Sequence, residues 1–138
     1  MRTTSEEAKL RLGAARVARL ATVSADGLPH LVPITFALDG DLLYTAVDAK
    51  PKTTTRLRRL DNIGANHRVA VLADYYEEDW SALWWVRADG EASVLDDPAG
   101  MAGPARLLAD RYPQYLDNPP AGPVIAIRVD RWTGWSAT

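Results

Sequence analysis

Between Lys50 and Arg68 the chain gathers Lys50, Lys52, Arg56, Arg58, Arg59 and Arg68 against one acid, Asp61. This stretch carries five net positive charges, so the rest of a chain with net charge −2 carries seven negative ones. A basic island in an acidic chain points to a local anionic ligand, with a solvated helix face as the plain alternative. Its leading residues, Lys50-Pro51-Lys52-Thr53-Thr54-Thr55, bring two ammonium groups and three hydroxyls to a predicted helix start. Free backbone N–H groups and the positive end of the helix dipole favour an anion there, and charged donors make the strong hydrogen bonds that hold a phosphate. No glycine-rich phosphate loop is present.

Other chemistry-bearing residues form no recognisable constellation. His30 and His67 are far apart and have no metal-ligand spacing. Ser24, Ser81 and Ser93 lack the context of an activated nucleophile, and the absence of cysteine excludes thiolate chemistry and disulfides. Asp74, Glu77, Glu78 and Asp79 read as an acidic rim loop and not as a calcium loop. No metal site is predicted, and no catalytic acid, base or nucleophile is assigned. Trp80, Trp84 and Trp85 crowd one region, and neighbours on a strand face opposite ways. One of Trp84 and Trp85 therefore fills the core while the other is free to border a ligand; Arg87 shares a face with Trp85 and either reaches an anion or stacks on the ring.

The elements that must position these residues follow from pattern. Thr4-Ser5-Glu6-Glu7 has the capping-box form and opens a helix with Leu10, Leu12 and Ala14 or Ala15 on its apolar side. Val17 to Val23 is a strand closed by an Asp26-Gly27 hairpin signal. The return strand is read over His30 to Leu38, bulged or at an edge near Pro33, and Leu42 to Val47 completes a three-stranded meander. A helix over Thr53 to Ile63 precedes a strand from Arg68 to Asp74 and a longer strand or strand pair from Leu83 to Leu95. Asp96 or Asp97 can cap a helix toward Tyr112, its regular part expected from Pro104 because Gly100, Gly103 and Pro104 weaken the first half. Pro113 to Pro123 is a proline-rich connection, and Val124 to Trp132 is the last strand.

Length and composition fit one domain over residues 1–138: 47% hydrophobic and 25% charged residues describe an ordinary globular chain and exclude disorder. The net charge argues against nucleic acid as partner. No run approaches the roughly 20 apolar residues of a membrane span, and the first residues lack the apolar core of a signal peptide. The expectation is a soluble, cytoplasmic protein without membrane partners.

In the order of its segments the chain resembles the pyridoxamine-phosphate-oxidase-like split-barrel family, and within it the small deazaflavin (coenzyme F-420) oxidoreductases of actinobacterial type. The resemblance is carried by RLATVSADGLPHLVPITFALDGDLLYTAV, KPKTTTRLRRLDNI, RVAVLADYYEEDWSALWWVRADGEA, RYPQY and IRVDRWTGW, and it covers nearly everything from Arg16 onward. It implies a β-rich α+β fold, a split β-barrel of the FMN-binding kind with antiparallel strands and two or three flanking helices. It also implies a homodimer with two cofactor sites between protomers. Pro33, Ile34 and Thr35 would flank the ring through backbone groups, with Thr45 and Ala46 beneath it. Lys50, Lys52 and Thr53 would hold the phosphate, with Arg56 next, and Trp85 and Arg87 border the same cofactor site. Where relatives show arginine-asparagine-leucine after the lysine, this chain has Thr55-Arg56-Leu57, which leaves open which of Thr54, Thr55 and Arg56 meets the ligand.

The function so implied is hydride transfer between F-420 and a small conjugated or heteroaromatic substrate. The lack of a protein acid or base suits such chemistry, in which the cofactor performs the hard step. FMN is the alternative cofactor, and a non-catalytic flavin, deazaflavin or tetrapyrrole carrier is the alternative role. The surplus of bases beyond a phosphate's needs would suit the oligoglutamate tail of F-420.

Overall fold

The computed structural model describes residues 1–47, 58–120 and 122–138. Helix α1, Ser5–Ala14, is capped by Thr4, whose hydroxyl accepts from the Glu7 amide at 3.1 Å. It buries Ala8 and Leu12, whereas Leu10, expected on the apolar side, is exposed. The strands are β1 Ala18–Val23, β2 Pro29–Ile34, β3 Ala37–Asp39, β4 Leu42–Ala46, β5 Arg68–Tyr75, β6 Trp84–Leu95 and β7 Val124–Ser136. The remaining helices are α2 Arg58–Ala65, α3 Pro98–Arg111 and α4 Gln114–Asp117, with a 3-10 turn at Trp80–Ala82.

All seven strands form one antiparallel sheet in the order β2-β1-β5-β6-β7-β4-β3. Its two edge strands, β2 and β3, are consecutive in the chain and joined only by Thr35 and Phe36. A flat sheet would hold its edges six strand spacings apart, about 29 Å, whereas three Cα steps reach at most about 11 Å. The sheet must therefore curl until its edges nearly meet. No ladder joins β2 to β3 among the described residues, so the result is a split barrel and not a closed one. The expected strand from His30 to Leu38 is thus two strands on opposite edges, and the expected meander is two hairpins at opposite ends of the sheet. Pro33 lies on an edge strand, where its missing N–H costs no ladder bond on the open side.

The inward faces make one core. The row Val32–Leu20–Val71–Ala88–Trp132 crosses five strands, and Phe36, Leu43, Ile63, Ile125 and Ile127 are buried with it. Asp130 is an extra, unpaired residue in β7, because Asp89 pairs with Arg131 while Gly90 pairs with Val129. The bulge exchanges the faces of β7: Ile125, Ile127 and Val129 point inward before it, and Gly134 and Ser136 after it. Opposite the bulge, a Cβ on Gly90 would lie 2.3 Å from the Arg128 carbonyl oxygen, so only glycine fits. α3 begins at Pro98 and not near Pro104. Asp97 caps it by accepting from the Gly100 amide at 2.9 Å, and Pro104 and Leu108, four apart, are both buried. Tertiary packing of that face outweighs the weak propensity of its first turns.

Candidate functional site

The two-residue crossover between the sheet edges is held by side-chain hydrogen bonds from β4, α4 and the end of α3. The Thr45 hydroxyl, projecting inward from β4, donates to the Thr35 carbonyl at 2.8 Å. The Thr35 hydroxyl and the Tyr115 hydroxyl of α4 lie 2.9 Å apart. The Tyr112 hydroxyl at the end of α3 accepts from the Phe36 amide at 3.2 Å, and its single proton is shared between the Phe36 carbonyl at 3.0 Å and the Arg16 carbonyl at 2.9 Å. Arg111 stacks on Phe36, 4.7 Å from the ring centroid, and donates to the Ala15 carbonyl. Burial against these groups pulls its guanidinium pKa below the ordinary value. These contacts satisfy backbone groups that the crossover removes from the sheet.

Four predicted residues meet here. Ile34 is buried at the end of β2, Thr35 begins the crossover, Thr45 is buried beneath it, and half-buried Ala46 packs against Ala37, Leu108 and Tyr112. Pro33, beside them, is exposed. Immediately after Ala46, the Val47 amide donates to the Pro123 carbonyl at 2.8 Å. The basic segment begins just beyond, and Lys50, Lys52, Thr53 and Arg56 lie outside the described residues.

Trp85 and Arg87 do not join this group within one chain. They stand on the outer face of β6, in register with a row that runs Pro33–Arg19–Leu72–Arg87–Thr133. Three strand spacings separate Pro33 from Arg87, about 14 Å. Arg87 donates to Asp89 at 3.2 Å and lies 5.8 Å from the Trp85 ring centroid, so it is stacked and paired together. Trp85 is directly opposite Trp135. Trp84, on the other face, packs against the core, stacks on Tyr75 with centroids 6.5 Å apart and lies under Arg11. The outer face also exposes Leu31, Leu72 and Trp135.

The shifted carboxyls lie elsewhere. Asp26, Asp41, Asp79 and Asp130 are each held below the usual carboxylate range, chiefly by hydrogen bonds from Ser24, Lys9, Ser81 and Arg68 respectively. Each lies in a turn or at the sheet surface. The Tyr75 phenol is pushed up because it donates to the Glu77 carboxylate. Among the described residues no group of three acidic or histidine side chains could hold a metal, and no helix is long and apolar enough to cross a membrane. Sequence reasoning assigned no role to the hydroxyls of Tyr112 and Tyr115; the RYPQY string holds both residues, but their hydroxyl partners are 76 to 96 residues away.

A sheet split between two edge strands joined by a two-residue crossover, with the tyrosines of α4 and of the end of α3 clamped on that crossover, defines the split-barrel class. The chain belongs to the pyridoxamine 5'-phosphate oxidase family, whose model matches residues 4–136. Among solved structures, a FAD-binding protein from Mesorhizobium loti superposes with a TM-score of 0.77 at 24% identity, covering 97% of this chain and 95% of that one. A conserved hypothetical protein from Mycobacterium tuberculosis gives 0.75 at 20% identity, over 98% and 85% of the two chains. The FAD binding protein from Mycobacterium smegmatis gives 0.67 at 20% identity over 98% of both. At these identities the likeness is one of fold. No curated protein matches the chain.

Proposed function

We propose that the protein is a homodimeric oxidoreductase that binds a flavin-type cofactor at the split of its barrel, with F-420 the form it takes. The observation that carries this reading is the Thr45–Thr35 hydrogen bond of 2.8 Å. It joins the strand that leads into the basic segment to the strand edge predicted to flank the ring, although the two begin at different places in the chain. The donor set fits the group: the ring would lie against the backbone of Pro33, Ile34 and Thr35 over Thr45 and Ala46. Its phosphate would be held by Lys50, Lys52 and Thr53, with Arg56 in reach. When bound in its reduced form, F-420 would supply a hydride to a small conjugated or heteroaromatic acceptor and be left oxidised, while the chain would bind and orient both.

The dimer is supported by the outer face. Arg87 is about 14 Å from Pro33 within one chain and Trp85 lies two residues farther along β6, so they would border a ring at the crossover only if a second copy brought them there. Leu31, Leu72 and Trp135 on the same face are exposed apolar groups that a second copy would cover. FMN is the second reading, and the FAD-binding proteins among the similar folds favour a flavin nucleotide in general. Fluorescence titration of the purified protein with F-420, FMN and FAD decides the cofactor. Tighter binding of F-420 is expected at physiological salt; equal or reversed affinities favour the flavin nucleotides. Oxidation of the bound, reduced cofactor by an added nitro- or enone acceptor separates an enzyme from a carrier.

A further inference from the structure

We infer that Tyr115 is a positioning residue that acts through Thr35 to set the groups facing the flavin-type ring, an inference that rests on the cofactor reading above. Thr35, a predicted ring neighbour, has both its side chain and its carbonyl engaged. Its carbonyl accepts from Thr45 at 2.8 Å and its hydroxyl meets Tyr115 at 2.9 Å. A β-branched side chain has few χ1 choices, so fixing the hydroxyl fixes the rotamer and leaves a hydroxyl of set direction. A misplacement near 1 Å at a positioned group is enough to cost rate.

The tie has a structural frame that a packing tyrosine would not need. Tyr115 stands edge-on to Tyr112, with centroids 6.0 Å apart and planes at 86°, and Tyr112 holds the next residue, Phe36, through its amide and carbonyl. The two tyrosines therefore grip successive residues of the crossover. The connection that carries Tyr115 also reaches the other side of the candidate site, where the Pro123 carbonyl accepts from Val47. At Gly122 an added Cβ would fall 2.5 Å from the Val47 carbonyl oxygen, so this contact is backbone against backbone. One short segment thus holds the crossover at one end and the entrance of the basic segment at the other.

The test is a cycle of Tyr115→Phe, Thr35→Val and the double variant, each titrated with F-420 and with FMN while the ring absorption of the bound probe is recorded. Tyr115→Phe removes one hydroxyl and keeps the ring packing. It is expected to weaken binding by about five- to tenfold and to shift the ring absorption band. Thr35→Val should do the same, and the double variant should be no worse than the stronger single, as for residues acting through one contact. Melting of the cofactor-free proteins reports any fold effect separately. Full additivity, or wild-type affinity and spectrum for Tyr115→Phe, overturns the positioning role alone. Failure of the wild type to bind either probe overturns the cofactor reading and the inference with it.

Discussion

Arg68 at the start of β5 and Asp130 in the bulge of β7 meet in a two-pronged ion pair, with nitrogen–oxygen distances of 2.7 and 3.3 Å, across the intervening strand β6. Both side chains are about half exposed, at 52% each, so the pair contributes little to stability. The backbone of Asp130 matters more than its carboxylate. Asp130→Ala should leave the melting temperature within about 1–2 °C of wild type. Deleting residue 130 should abolish cooperative unfolding, since a one-residue slip turns every later side chain of β7 to the other face. Circular dichroism melts of the two variants check this; a deletion that melts like wild type would mean the bulge does not set the register.

Gly90 faces that bulge with no room for a methyl group. Gly90→Ala should destabilise by about 1–3 kcal/mol, the range for overpacking. Urea midpoints read at an unchanged slope measure it, and a neutral result would show that β7 yields at Arg128.

Tyr112 is only 7% exposed and its hydroxyl serves three backbone groups of Arg16 and Phe36. Tyr112→Phe leaves buried backbone polar atoms without partners, at about 1–3 kcal/mol per atom fully lost. A loss near 2 kcal/mol in denaturant unfolding is expected. A change below about 0.5 kcal/mol, the ordinary surface range, would mean that water replaces the hydroxyl.

Leu72 sits at the centre of the outer-face row, 37% exposed, between Arg19 and Arg87. If a second copy covers this face, Leu72→Lys places a third positive charge beside Arg19 and Arg87 in the interface and should shift the protein from dimer to monomer. Light scattering at micromolar concentration reads the change. A wild-type monomer removes the two-chain site, and a dimeric variant moves the interface to another face.

Lys52 is the strongest phosphate candidate, following Pro51 and leading the threonine run. Without a ligand role, a lysine is expected to change stability by under about 0.5 kcal/mol on truncation, the ordinary surface range. As a phosphate ligand it contributes on the order of 1.5–3 kcal/mol, roughly a ten- to hundred-fold effect on affinity. Lys52→Ala should therefore keep the cofactor-free melting temperature while weakening cofactor binding by that factor, with the gap narrowing as salt rises. Wild-type affinity in the variant would direct the search to Lys50 and Arg56.

The extent to which the sequence could be read is clearest around His30 to Leu38. Alternation continues through Val32, Ile34 and Phe36, and periodicity tells which way a side chain points. It says nothing about which strand lies alongside, so the passage from one sheet edge to the other at Thr35 left no local mark. Pro33 did signal an edge, for a backbone reason that is local. The start of α3 was hidden for the opposite cause: Gly100, Gly103 and Pro104 speak against a helix locally, and only the buried face of Pro104 and Leu108 overrides them. The basic, hydroxyl-rich run was legible as charge and spacing, while the contacts of Tyr112 and Tyr115 were not, because a hydroxyl's partner 76 or more residues away has no sequence pattern.

The place of β7 in the sheet also bears on how the molecule is made. It is the last strand along the chain, yet it lies between β6 and β4. Until it emerges from the ribosome, the nascent chain can assemble β2-β1-β5-β6 as one sheet, but the β3–β4 hairpin has no strand to join except by crossing an open gap. An isolated hairpin is marginal in water, and two unpaired edges are exposed for as long as the gap stays open. The arrival of β7 is therefore a single insertion that unites both pieces and closes the core, and a chain stopped short of Val124 would be left with two sticky fragments in place of a barrel.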